Sequence, residues 1–356
     1  MSRLTRAEMQ ERNRIRVLAA ARDEFADRGY RDAKIDAIAE RAELTRGAVY
    51  SNFPGKRALY FAVLADLAEQ APTPSPALEP GRTTGDALAA LARAWLGRLP
   101  TLEESPRLGV DVLPEVMADE PTRQAYAQLT SLNAVLLGLA LERLRPDGRL
   151  VRVAETVLTA LHGATQLAAA APGFVEPFNV VSACAQLAYL DVADEWLELP
   201  FTTPVRAVDE AWTPPRVWDA VRAEETTLEE DGLVAVLGLH RAASVEHALR
   251  AAPNTPITAV LVSGSPQEQV PLARLAIAEL TGCLRQAFPE YAWPRLKIVC
   301  DDTGTLAAAA GVPAVSETTE VAIHITRGRI TRRAEGYGAC HVTAAEHDPV
   351  TRSFPS

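Results

Sequence analysis

The sequence predicts an all-α N-terminal two-thirds followed by an α/β C-terminal unit. Three observations carry this. Up to residue 198, apolar residues recur at spacings of three and four in long stretches, with no strand signal. At 199–200 the character changes, and four prolines fall within 200–215. Beyond that, short continuous apolar runs alternate with helical stretches, and the last of the pattern alternates like two strands around Arg327-Gly328.

The first element is a helix over 5–28, with Ile15, Leu18, Ala19, Arg22, Phe25 and Ala26 on a helical spacing and Gly29 as its stop. A short helix fits 33–41, with Asp32 as N-cap and Ile35, Ile38 and Ala39 facing inward. After a three-residue break at 42–44, Thr45 caps a second short helix that runs to Phe53. Pro54-Gly55 ends it, and a further helix spans about 56–69. The proline-rich 71–81 is a loop. Helical stretches follow at 84–99, 107–118, 122–145, 149–171 and 177–198. Residues 200–215 read as a linker and 215–230 as a helix. Strands are expected at 233–239, 257–262 and 296–300, helices at 244–251, 266–288 and 304–310, and a hairpin at 320–337. This gives domains at 1–66, 67–199 and 231–356, with 200–230 as linker and helix.

The chain has 356 residues, 48% hydrophobic and 23% charged, which is ordinary for a globular protein and excludes disorder as the main state. No run of eighteen apolar residues exists, so no membrane partner is expected. The first residues lack the apolar core of a secretory signal, and the four cysteines are too scattered for a disulfide framework. A reducing cytoplasm is the expected compartment.

The net charge of −10 is unevenly spread. Residues 1–66 carry 13 basic and 10 acidic side chains, net +3, whereas 67–199 is net −8 and 200–356 net −5. The one cationic piece therefore contains the two short helices joined by a tight turn, the helix-turn-helix arrangement that places a second helix in the major groove. Thr45, Arg46, Tyr50, Ser51 and Asn52 give that helix a polar face, and Gly47 lets the backbone approach a duplex. Arg46 suits guanine O6 and N7; Tyr50 and Lys56 suit phosphates. The arginines at 3, 6, 12, 14 and 16 form either an arm toward DNA or a frayed charged terminus.

The stretch 29–64 resembles the DNA-binding domain of TetR/AcrR transcriptional repressors. The marks are Gly29-Tyr30, Ile38-Ala39, Ala42, Thr45, Gly47, Tyr50, Phe53, Lys56 and Leu59. The resemblance implies a homodimer on a palindromic double-stranded operator, released by a small-molecule effector. It also implies phosphate contacts from Thr45, Tyr50, Asn52 and Lys56, with Arg46, Gly47, Ala48 and Ser51 near bases. Two departures stand out. Glu43 occupies the usual turn glycine, and Ala33 replaces the usual capping Thr, so that one phosphate contact is either lost or moved to Lys34.

In the helical middle, Asn133 falls within an apolar stripe, and His162 and Gln166 lie on the next long helix; these are the tentative ligand contacts. An ordinary hydrogen-bonded core role competes with that reading. The resemblance makes the last two helices, about 150–171 and 177–198, a four-helix-bundle dimer face.

The C-terminal run 300–338 resembles the end of a thioredoxin-like redoxin, so the fold expected there is an α/β thioredoxin-like domain. The chemistry does not transfer. The place for a reactive Cys-x-x-Cys, just after the first core strand, reads LHRAAS at 239–244. Cys340 has His341 beside it, but as strand neighbours the two would point apart. No catalytic residue, cofactor or metal is expected, and the domain serves packing, dimerisation or a protein partner. The function expected is a ligand-responsive repressor. The alternative is a redox-sensing regulator or a thiol oxidoreductase joined to a DNA-binding module.

Overall fold

The computed structural model describes residues 5–70, 79–98, 108–194, 199 and 202–345. Helix α1 (Arg6–Asp32) opens with a capping box, in which Glu8 N–H donates to Thr5 Oγ1 and Thr5 N–H to the Glu8 carboxylate. Its regular part ends where the sequence places the stop, because Gly29 takes φ +73 and kinks the chain. Short helices α2 (Ile35–Arg41) and α3 (Arg46–Asn52) follow, then α4 (Lys56–Gln70).

The body adds α5 (Thr84–Leu96), α6 (Val112–Met117), α7 (Glu120–Leu144), α8 (Val151–Ala170) and α9 (Pro177–Leu187). Two of these are shorter than the sequence pattern suggests. The helix expected over 107–118 is confined to α6 among the described residues, and α9 stops at Leu187. Residues 191–194 are not helical, and 195–198 lie outside the described residues.

The C-terminal part is a mixed sheet. It comprises β1 (Arg206–Ala211), β4 (Gly232–Gly238), β5 (Ile257–Val262), β6 (Lys297–Cys300), β7 (Glu320–Thr326) and β8 (Arg329–Glu335) in the order β1-β8-β7-β4-β5-β6. β4, β5 and β6 run parallel; β7 and β8 form an antiparallel hairpin beside β4. Helices α10 (Val245–Ala251) and α11 (Pro266–Ala287) make the crossovers, while α12 (Thr305–Ala309) and α13 (Ala339–Ala345) precede and follow the hairpin. The central strands are buried on both faces, as their continuous apolar runs require. Leu233, Ala235, Leu237, Ile257, Ala259 and Leu261 belong to the large core shared with the helices. Val234, Val236, Val260, Val262 and Ile323 form a second, smaller core with Trp212 and Leu306.

Three expectations need correction. The supposed linker contains β1, an edge strand paired with β8. No helix forms over 215–230; β2 (Val217–Asp219) and β3 (Glu224–Thr226) make a two-stranded ribbon there. Pro214-Pro215 supplies no amide donors, and buried Asp219 then turns the chain by accepting from the N–H groups of Val221 (3.0 Å) and Ile298 (3.3 Å). Cys340 and His341 stand on a helix, α13, and not on a strand. The sheet is mixed with helices on both faces; the strands expected at 233–239, 257–262 and 296–300 and the hairpin at 320–337 are present, and the edge strand β1 was not expected.

The three sequence segments share one core. Helix α4 is buried from Ala58 through Ala65 without interruption. A helix apolar all round needs cover on every side, and α11 supplies the side that α1 and the body leave open. Polar contacts fix the seam: Arg274 Nε and Nη2 pair with the Glu69 carboxylate at 2.9 and 2.5 Å, and Gln269 Nε2 donates to Thr122 Oγ1 at 3.2 Å.

Candidate nucleic-acid interface

The two short helices are held by local chemistry. Ile38, Ala39, Ala42, Val49 and Phe53 are buried where α2 and α3 pack on α1 and on each other. Thr45 Oγ1 accepts from Ala48 N–H at 3.2 Å and so caps α3. The N-cap of α2 is Lys34, which makes no side-chain cap, and not Asp32, which ends α1. The turn places Glu43 at φ +51, the left-handed region that glycine enters most easily. Arg16 Nη2 lies 2.7 Å from Glu43 Oε2, so α1 tethers the residue that the turn strains.

The outward face of α3 is polar. Thr45, Arg46, Gly47, Tyr50 and Ser51 are exposed; Ala48 and Asn52 are half-buried. Arg46 pairs with Asp36 of α2 at 3.3 Å, and its guanidinium carbon lies 5.5 Å from the Tyr50 ring centre. Ser51 Oγ and Asn52 Nδ2 both donate to the Ala48 carbonyl, at 2.9 and 2.8 Å. Lys34 is exposed beside this face. Lys56 opens α4, where unpaired N–H groups favour anions. Its ammonium donates to the Arg31 carbonyl at 3.0 Å and lies 4.7 Å from the Tyr30 ring centre; burial there lowers its pKa.

Sequence reasoning missed a brace behind this face. Glu24 is 1% exposed and lies 3.3 Å from both Arg28 and Arg41, which ties α1 to α2. Its signal was a carboxylate on the apolar side of α1, next to Phe25. Two arginines of the expected arm lie against the head: Arg16 pairs with Glu43, and Arg14 stands 5.9 Å from the Phe53 ring centre, while the side chain of Arg6 lies outside what is described. Arg3 lies outside the described residues.

The three tentative ligand residues are not brought together. Asn133 Nδ2 donates to the Ala276 carbonyl of α11 at 2.9 Å, so its buried side chain faces the protein's own helix. His162 packs edge-on against Trp95, ring centres 5.0 Å apart, and burial lowers its pKa. Gln166 is exposed.

The thiols are ill suited to redox chemistry. Cys184 and Cys283 are buried, and burial pushes their pKa up to about 11 and about 12. Burial likewise takes Cys300 up to about 12 and Cys340 well above the ordinary value. Burial of this kind disfavours the thiolate form. The 239–244 position forms a 3-10 turn after β4, where Arg241 Nη2 pairs with buried Glu320 at 2.5 Å. Among the described residues no cluster of His, Cys, Asp and Glu is arranged to hold a metal. No helix among them is long and apolar enough to cross a membrane.

Residues 17–63 match the family profile described as "Bacterial regulatory proteins, tetR family". This segment is similar to the tetR family. It covers the greater part of α1 with α2, α3 and most of α4, the same elements that build the polar face. Over 65 residues the chain is 48% identical to the HTH-type transcriptional regulator SrpR of Pseudomonas putida and, again, to the uncharacterised HTH-type transcriptional regulator TtgW of a Pseudomonas putida strain. Those matches take in 18% of this chain and 30% and 48% of the two relatives, so the chain spans less than half the length of either. It is 42% identical over 55 residues to the HTH-type transcriptional activator FasR of Mycolicibacterium smegmatis, covering 15% of this chain and 25% of that one. A solved TetR transcriptional regulator from Rhodococcus sp. RHA1 aligns with 51% of this chain and 95% of its own, at 18% identity and a TM-score of 0.36. The match to the family profile lies within the head.

Proposed function

We propose that the chain is a DNA-binding transcriptional regulator that acts as a homodimer on a palindromic operator, in the repressor sense. The observation that carries this reading is the exposed face of α3 within the segment similar to the tetR family. In this reading Arg46, Gly47, Ala48 and Ser51 meet base edges, while Lys34, Thr45, Tyr50, Asn52 and Lys56 meet the phosphate backbone. Lys56 does so only by exchanging its present bond to the Arg31 carbonyl. The cationic head and acidic remainder favour contact through the head alone.

The dimer surface is the outer side of α8 and α9. Phe178 of α9 is 73% exposed there, and Phe174 in the turn before α9 and Tyr189 just after it are 71% and 68% exposed. An apolar group of this kind on a charged protein fits a partner of the same kind. The C-terminal unit, read as a thioredoxin-like scaffold without redox chemistry, supports the head through α11 and α4. The burial of Cys184, Cys283 and Cys340 favours this reading over the redox-sensing alternative. Location in the cytoplasm and response to a small molecule complete the reading.

The test is selection from a random DNA pool by the full chain. The reading expects a two-fold symmetric motif with half-sites spaced about one helical turn, roughly 34–36 Å, or somewhat more. A pool that returns no sequence enrichment removes it.

A further inference from the structure

Three arginines meet where the helical body joins the C-terminal unit. Arg143 stands in the last turn of α7, Arg222 in the turn between β2 and β3, and Arg295 between a 3-10 turn (Glu290–Ala292) and β6. Arg143 Nε donates to the Tyr291 carbonyl at 2.6 Å, and the Arg222 guanidinium carbon lies 6.0 Å from the Trp293 ring centre. Both are thus held against the short segment 291–295 that also carries Arg295. The three charges act on one another. Burial lowers the pKa of Arg143, Arg295 and Arg222 lower it further, and no carboxylate acts in the opposite sense.

The acids of the same elements are placed otherwise. Asp219 is 1% exposed, and its Oδ1 accepts from the Val221 and Ile298 N–H groups; burial raises its pKa in spite of those bonds and of Arg222. Glu142, next to Arg143, pairs with Arg149 and accepts from Leu150 N–H. Glu224, Glu225 and Glu290 are exposed. Among the described residues none of these lies within ion-pair distance of Arg143, Arg222 or Arg295. The turn that presents Arg222 is fixed from behind. Arg285 of α11 donates to the Ala220 and Val221 carbonyls at 3.3 and 3.0 Å, and Ala223 takes φ +56, a left-handed conformation that alanine rarely enters. Backbone strain of this kind gathers at ligand sites.

Guanidinium donors fit the oxygens of a phosphate or a carboxylate. Three uncompensated positive charges favour the more highly charged of the two, and a phosphate monoester carries about −1.5 to −2 at neutral pH. We propose that this cluster binds a phosphate dianion, free or as a monoester, and that the bound phosphate staples the end of α7 to the C-terminal unit. The site is remote from the head. Asp119, just before α7, lies 3.5 Å from Arg57 of α4, whereas Arg143 is roughly 35 Å further along the helix axis. The proposal is therefore independent of the DNA-binding reading. Because the arginines belong to both parts, the anion binds the docked arrangement and stabilises it by mass action.

The test is titration calorimetry on the full chain at low ionic strength, with inorganic phosphate and with phenyl phosphate. One equivalent per chain is expected. Equal affinity for the two assigns the free anion; tighter binding of phenyl phosphate assigns an ester whose body lies on Tyr291, which is 61% exposed. Arg143→Gln, Arg222→Gln and Arg295→Gln should each weaken binding about tenfold, as loss of a charge-assisted hydrogen bond implies, with the circular dichroism of the unaltered chain. Arg123→Gln, which removes an exposed arginine at the other end of α7, should leave binding unchanged. The site is refuted if neither phosphate shows saturable binding up to about 10 mM, if phenylacetate binds as well as phenyl phosphate, or if Arg123→Gln weakens binding as much as the cluster variants. Saturating phosphate should also raise the unfolding temperature of the unaltered chain and not that of Arg222→Gln. An unchanged unfolding temperature in the unaltered chain refutes the stapling alone.

Discussion

Gly47 lies in the first turn of α3, and a Cβ built there would meet nothing nearer than Thr45 Oγ1 at 3.9 Å. The folded chain alone does not require glycine at this point. Gly47→Ala should therefore raise stability by about 0.5–1 kcal/mol, the usual gain of alanine over glycine in a helix, and yet weaken operator binding, because the backbone can no longer approach the duplex. Urea unfolding and fluorescence anisotropy on the selected operator would separate the two effects. Glu43 gives the opposite case. Its left-handed conformation costs a non-glycine residue roughly 1–2 kcal/mol, and the exposed ion pair with Arg16 offsets only part of that. Glu43→Asn should be close to neutral, and Glu43→Val should destabilise by about 1–2 kcal/mol in the same unfolding assay, since a β-branched residue fits this region worst. Equal stability of the two variants would show that the turn is not strained.

Among the elements, α11 decides how the parts depend on one another. Leu280 is fully buried on α11 within the core that also holds Leu59 and Leu88. Leu280→Ala should cost about 2–5 kcal/mol and lower a single unfolding transition seen alike by probes in the head-proximal helices and in the sheet. Two separated transitions would mean that the units fold independently. The head was legible in the sequence because its determinants are local: Thr45 as a cap, Gly29 as a stop, a fixed spacing of apolar residues. The dependence of α4 on α11 was not drawn from it, although eight consecutive apolar residues over 58–65 carried the signal. Strand β1 was hidden for a physical reason. Its sequence, RAVDEA, is largely exposed at a sheet edge, and its partner β8 lies more than a hundred residues away. Nothing local distinguishes such a strand from a linker. Asn133 looked like a ligand contact because a buried amide needs a partner; the partner is a backbone carbonyl of α11.

Across the whole molecule, the cationic head, the exposed aromatic residues on and beside α9, and α11 docked on α4 form one proposed arrangement. Dimerisation through that face sets the distance between two heads. Phe178 is the most exposed of its aromatic residues, at 73%, so Phe178→Arg should leave the chain folded and shift it to monomer in sedimentation, with loss of operator affinity greater than any loss of stability. A variant that stays dimeric would move the interface elsewhere.

The central claim is that the outward face of α3 reads DNA sequence, and Arg46 tests it most directly. Its pair with Asp36 is exposed on both sides, so Arg46→Ala should leave fold stability within about 0.5 kcal/mol. Binding profiles of the unaltered chain and of Arg46→Ala on a set of singly mutated operators form the measurement. The account predicts a loss of about 1–3 kcal/mol on the intact operator, with base preference erased at one position of each half-site and preserved at the others. A variant that keeps every base preference, whatever its affinity, would contradict it.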